Sequence, residues 1–193
     1  MRNLLIMGWL CLLFACQPAS APNDFLATDI SYTHLGNRLS LTDHTGRPRT
    51  LADFNGKVIA LFFGYTHCPD VCPTTMSDMK KVMKQLGEQS DQLQVLFVTL
   101  DPERDTQQVL SQYVPGFDPR FVGLTGSNAA IATTVNDFKI FSNKVSNHGH
   151  SGYTIDHSAG IYIFDQHGKI RLYVNYGTKP TDIANDIKKL LKQ

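Results

Sequence analysis

Six consecutive apolar residues, Val58-Ile59-Ala60-Leu61-Phe62-Phe63, run directly into Gly64-Tyr65-Thr66-His67-Cys68-Pro69-Asp70-Val71-Cys72-Pro73. A short, continuous apolar run rich in strand formers predicts a buried central strand. After the cysteines, residues 74–88 contain no proline and repeat apolar side chains at Met76, Met79, Val82, Met83 and Leu86. That spacing predicts a helix, with Pro73 suited to its first position. The cysteines therefore sit in the turn from a buried strand into a helix. Amides at a helix start are unpaired and carry partial positive charge, so this turn favours thiolate and with it redox or metal chemistry.

Cys68 and Cys72 are four residues apart. A disulfide needs α-carbons within about 7 Å, which a tight turn or a helix start supplies at this spacing. A structural bridge pinning the loop is one reading. Such a small ring removes little entropy from the unfolded chain, so a redox or metal role is the better use of the pair.

Composition matters here mainly for what it excludes. The chain has 193 residues and a formal charge of +1. Without residues 1–15, whose only charge is Arg2, seventeen basic residues face seventeen acidic ones. Nothing in that balance points to nucleic acid or to a general attraction to acidic membranes. Arg2 and the uncharged run 4–15 form a targeting segment too short to span a bilayer comfortably. Leu13-Phe14-Ala15-Cys16 resembles a bacterial lipoprotein signal, which implies cleavage before Cys16 and lipid on its sulfur. An uncleaved anchor and an ordinary secretory signal are the alternatives, and all three place the domain outside the cytoplasm. Cys11 then leaves with residues 1–15 and Cys16 carries lipid, so Cys68 and Cys72 remain as the thiol pair.

Residues 16–37 mix Pro, Ala, Ser, Asn and Thr and predict a tether, leaving 38–193 as one domain. Residues 39–54 predict a β-hairpin around Asp43-His44-Thr45-Gly46, closed by one helical turn at Leu51-Ala52-Asp53-Phe54. Residues 93–100 form a second buried strand, followed by Asp101-Pro102-Glu103-Arg104-Asp105-Thr106 and a short helix in which Asp105 or Thr106 is the cap. Arg104 is placed to brace the loops facing the cysteines. A strand at 121–124 and a helix to 138 come next, and the polar stretch 142–153 predicts an exposed flexible loop. Strands at 160–164 and 170–176 flank Asp165-Gln166-His167-Gly168, and an amphipathic helix over 180–192 closes the chain. This order predicts an α/β fold of thioredoxin-like type: a central mixed sheet flanked by helices, with an N-terminal β-hairpin extension.

In that fold the loop before the 160–164 strand faces the cysteine turn, so His157 of Asp156-His157-Ser158 approaches Cys68 and Cys72. Two thiolates and an imidazole make a soft site that suits Cu(I), and the imidazole lets it hold Cu(II) as well. Asp156 is placed to orient the ring. His67, beside the first cysteine, points away from it on an extended segment. His148 and His150 lie in the polar loop as solvated side chains or a weak second site, and Met76, Met79 and Met83 belong to the core.

With these blocks in view the chain resembles the Sco/SenC family of thioredoxin-like copper proteins. The resemblance covers residues 38–190. It rests on Phe62 through Thr75, on Val98-Thr99-Leu100-Asp101-Pro102-Glu103-Arg104-Asp105-Thr106, on Gly123-Leu124-Thr125-Gly126 and on Asp156-His157-Ser158. It implies copper ligands at Cys68, Cys72 and His157 and a redox-active Cys68–Cys72 pair. It also implies a membrane-anchored domain on the periplasmic side and a metallochaperone role in assembling the binuclear copper centre of cytochrome c oxidase. The partners implied are the copper-centre subunit of that oxidase, a periplasmic copper donor and a thiol reductant.

Two other functions stay open. One is a thiol–disulfide oxidoreductase, with Cys68 and Cys72 catalytic, that reduces the oxidase's copper-ligand cysteines. The other is a copper or redox sensor. Oxidoreductases of this fold usually carry Cys-x-x-Cys and a proline before the facing strand, whereas this chain has Cys-x-x-x-Cys and Asp156-His157. That difference favours copper handling.

Overall fold

The computed structural model describes residues 25–36, 38–146 and 152–193. The expected targeting segment, Cys11, Cys16, His148 and His150 lie outside these residues.

The run 58–63 becomes strand β4 (Val58–Gly64), buried at every position. It pairs in parallel with β5 (Leu93–Thr99), from Val58 opposite Leu93 to Gly64 opposite Thr99. On its other edge it pairs antiparallel with β9 (Ile161–Phe164). Strands covered on both faces carry continuous rather than alternating apolar residues, as β4 and β9 do here and β5 does apart from the buried Gln94 and Thr99.

Around this centre the described residues form an eight-stranded mixed sheet, in the order β1-β10-β9-β4-β5-β6-β2-β3. β1 is Thr28–Asp29, β2 Ser40–Asp43, β3 Pro48–Thr50, β6 Val122–Thr125 and β10 Ile170–Val174. The expected hairpin is β2–β3, and its helical turn is a short 3-10 segment, Leu51–Phe54. Four helices among the described residues flank the sheet: α1 (Val71–Leu86), α2 (Gln107–Tyr113), α3 (Asn128–Asp137) and α4 (Pro180–Leu190). Met76, Met79 and Met83 lie on the buried side of α1 with Val82 and Leu86, as core residues. Thr106 caps α2, its hydroxyl accepting from the Val109 amide.

Three expectations change. Helix α1 begins at Val71, so Pro73 is its third residue, where an amide hydrogen is still unneeded. Part of the expected tether belongs to the domain. β1 pairs with β10, and the amides of Leu26 and Ala27 donate to the buried carboxylate of Asp186 in α4, at 2.9 and 2.8 Å. The polar stretch 142–153, expected as a loop, begins and ends in strands. β7 (Ser142–Ser146) pairs antiparallel with β8 (Tyr153–His157) as a separate two-stranded sheet. Every residue of β7 is exposed, so its strand character leaves no apolar alternation to detect.

Candidate metal centre

Two segments bring the centre together. After Gly64 the chain turns through residues 65–70 into α1. The Cys68 amide donates to the Tyr65 carbonyl at 3.2 Å. The Thr66 amide and hydroxyl both donate to the Asp105 carboxylate, at 2.9 and 2.5 Å. Asp105 is fully buried and also accepts from the Thr99 hydroxyl at 2.7 Å. It therefore holds the cysteine loop rather than capping α2.

Cys72 is the second residue of α1 and almost wholly buried, whereas Cys68 is half-buried; both are free thiols. The Cys72 amide points at the Cys68 sulfur at 3.5 Å, so a first-turn donor of the helix faces that sulfur. For Cys72 the sequence-based expectation of an ionised thiol is corrected. Burial pushes this thiol well above its ordinary 9.0. Desolvation of the charged form outweighs the lowering hydrogen bond from the Tyr65 backbone.

His157 ends β8 instead of lying in a loop. Its Nδ1 is 2.8 Å from the carbonyl oxygen of Ser158. A carbonyl only accepts, so in the neutral ring Nδ1 carries the hydrogen and Nε2 keeps its lone pair. Nε2 lies 3.6 Å from the Cys72 sulfur. The Tyr65 ring packs edge-on against the imidazole at 6.0 Å between centroids. Asp156 is exposed on the strand, and the Ser158 carbonyl does the orienting expected of it.

The ligand atoms of Cys68, Cys72 and His157 all lie within 4.8 Å of one another. His67 stays outside this group, with a side chain 56% exposed and its Nδ1 3.1 Å from the Thr66 hydroxyl. A cleft of about 440 Å³ opens beside the group, lined by Tyr65, Cys68, Pro69, Val71, Ile155 and His157 among others. Two sulfurs and one imidazole can take a soft metal ion. The same two thiols, one accessible and one buried, can exchange with a disulfide. Sequence reasoning missed Gly64, Tyr65 and Asp105 as supports. Each acts through tertiary contact, and only the Thr-Leu-Asp-Pro-Glu-Arg-Asp block hinted at one of them.

A mixed sheet whose central strand leads into a Cys-x-x-x-Cys helix start, faced by a histidine from beyond α3, defines a thioredoxin-like protein with a soft metal-ligand set. The SCO1/SenC family pattern matches residues 27–192, and the chain belongs to that family. It is 36% identical over 152 residues to the mitochondrial SCO2 homolog of Bos taurus, covering 78% of this chain and 57% of that protein. For the Danio rerio SCO2 homolog the figures are 38% over 154 residues, 79% and 55%. The chain thus spans a little more than half the length of these curated relatives. Among solved structures it resembles copper-bound ScoI of Bradyrhizobium japonicum, with a TM-score of 0.75 and 37% identity over 81% of this chain and 99% of that one. Copper-bound ScoI of Arabidopsis thaliana gives 0.77 and 29%, over 82% and 99%.

Proposed function

We propose that this protein is a copper metallochaperone. Cys68, Cys72 and His157 hold the copper, as Cu(I) or Cu(II), and it passes to the copper-centre subunit of a cytochrome c oxidase. The observation that carries this reading is the convergence of two sulfurs and a free imidazole lone pair within 4.8 Å. The copper-bound ScoI structures support it. Loading displaces any proton on the two thiols, and a Cys68–Cys72 disulfide removes both sulfur ligands, so a thiol reductant precedes loading. A periplasmic donor supplies the metal.

We infer lipid attachment at Cys16 on the periplasmic side. A solved SCO1/SenC family lipoprotein from Bacillus anthracis, 25% identical with a TM-score of 0.70 over 84% of this chain and 97% of that one, supports this. Among the described residues no helix is long and apolar enough to cross a membrane.

The test is anaerobic titration of the reduced full chain in detergent, with Cu(I) against a competing chelator and then with Cu(II). The expected result is tight one-to-one binding that His157→Ala and Cys68→Ser each weaken strongly. Unchanged binding in His157→Ala would remove the imidazole from the ligand set.

A second reading rests on the asymmetry of the thiols. The Cys68 thiolate attacks a substrate disulfide, displacing one substrate thiolate and forming a mixed disulfide. The Cys72 thiol, giving up its proton to the departing substrate sulfur, then displaces the other, so the substrate is reduced and Cys68–Cys72 oxidised. Weak copper binding together with rapid disulfide exchange would favour it.

A further inference from the structure

The histidine and the cysteines come from segments far apart in the chain, yet one turn, residues 101–105 at the end of β5, touches both carriers. On the cysteine side, Asp105 binds Thr66, two residues before Cys68. On the histidine side, the fully buried Asp101 carboxylate accepts from the Tyr153 hydroxyl at 2.6 Å through one oxygen and from Arg104 Nε through the other. Arg104 Nη1 donates to the Tyr153 carbonyl at 3.0 Å. Its guanidinium carbon lies 3.7 Å from the Tyr153 ring centroid and 5.7 Å from that of Tyr65. Tyr65 in turn accepts the Ile155 amide at 3.2 Å, two residues before His157. Arg104 Nη2 is buried with no hydrogen-bond partner among the described residues. The guanidinium is thus fixed by its ion pair with Asp101, its bond to the Tyr153 carbonyl and the two tyrosine ring faces.

We propose that the 101–105 turn is a positioning device: Asp105 fixes the cysteine loop, Arg104 fixes the β7–β8 hairpin, and the turn thereby sets the Cys72–His157 separation. Neither residue is a ligand. Both act through the segments they hold, as outer groups orient ligands at metal sites. The proposal rests on the metal-binding reading for its consequence and on the metal-free protein for its geometry.

The experiment compares Arg104→Met, Arg104→Lys and Asp105→Asn in the reduced full chain in detergent. In the metal-free protein, Arg104→Met should speed deuterium exchange at the Ile155 amide by about tenfold or more while leaving Thr66 unchanged. Asp105→Asn should do the reverse. With Cu(II) added, Arg104→Met should lose the imidazole nitrogen splitting in the electron paramagnetic resonance spectrum, as His157→Ala does, and about 10–100-fold in affinity. Arg104→Lys, which keeps a cation under Tyr153, should restore part of both and serves if the methionine variant fails to fold. Uniformly faster exchange throughout the chain in both variants, or wild-type exchange at Ile155 in Arg104→Met, would overturn the proposal. Absence of copper binding by the wild type would sink the copper reading, and the exchange pattern would still decide the positioning one.

Discussion

At the scale of single residues, the crowding at Gly64 shows how little room the centre has. A β-carbon there would lie 2.7 Å from the Cys72 sulfur and 2.8 Å from the Phe97 ring. The close approach of the strand end to the helix start thus depends on a missing side chain. Gly64→Ala should cost about 1–3 kcal/mol in urea unfolding, since over-packing a filled core forces side chains off their rotamers. It should also displace Cys72 and weaken Cu(I) binding, whereas a neutral result would mean that the turn yields easily. Much of the candidate ligand set is legible at this scale. Cys68 and Cys72 stand out because a buried strand runs straight into them, and His157 because the Asp156-His157-Ser158 block resembles the Sco/SenC pattern. Asp156 was misread. Its carboxylate looks suited to orient an imidazole, but the carbonyl of Ser158 is the group bonded to Nδ1, and Asp156 stays exposed.

Among the elements, the central strands and helices followed from apolar patterning, and the elements that escaped notice are those without it. β7 is wholly exposed, and β1 has two residues, both exposed. Neither carries a periodic apolar signal, and each exists because a neighbouring strand offers its edge. Asp186 shows what holds β1 in place. It is 2% exposed in α4 and accepts the Leu26 and Ala27 amides. Asp186→Ala would leave these donors without their acceptor, which should cost about 1–3 kcal/mol. The segment before β1 should then become sensitive to limited proteolysis while the rest of the domain stays protected. Simultaneous digestion of the whole domain would show that β1 and the core unfold as one unit.

Over the whole molecule, the acid response follows from buried carboxylates remote from the centre. Burial alone would raise Asp43, but hydrogen bonds from Thr45, Arg47 and Arg49 outweigh it and hold the group well below its ordinary 3.8. Hydrogen bonds from Arg120 lower Asp118 in the same direction. A carboxyl whose folded value lies below its unfolded one stabilises the fold above the unfolded value, and that contribution is lost as pH falls through the folded value. Urea midpoints should therefore hold near neutral pH and fall steadily below about pH 4. Asp43→Asn should be less stable than wild type near neutrality and approach it in acid; a constant gap at all pH values would assign the acid loss elsewhere. The order of the elements, the buried strand at the centre and the cysteine turn follow from apolar periodicity and local turn chemistry, which are written in adjacent residues, whereas the three candidate ligands come as a set from the resemblance to the Sco/SenC family. Contacts between distant segments make β7 a strand, bury Cys72 and let a backbone carbonyl set the imidazole tautomer. In three dimensions the turn after β5 touches both the cysteine loop, through Asp105 and Thr66, and the β7–β8 pair, through Arg104 and Tyr153. Those facts depend on which distant segments meet: the expected fold brings His157 towards Cys72, 85 residues away, but the contacts around the two side chains set their separation.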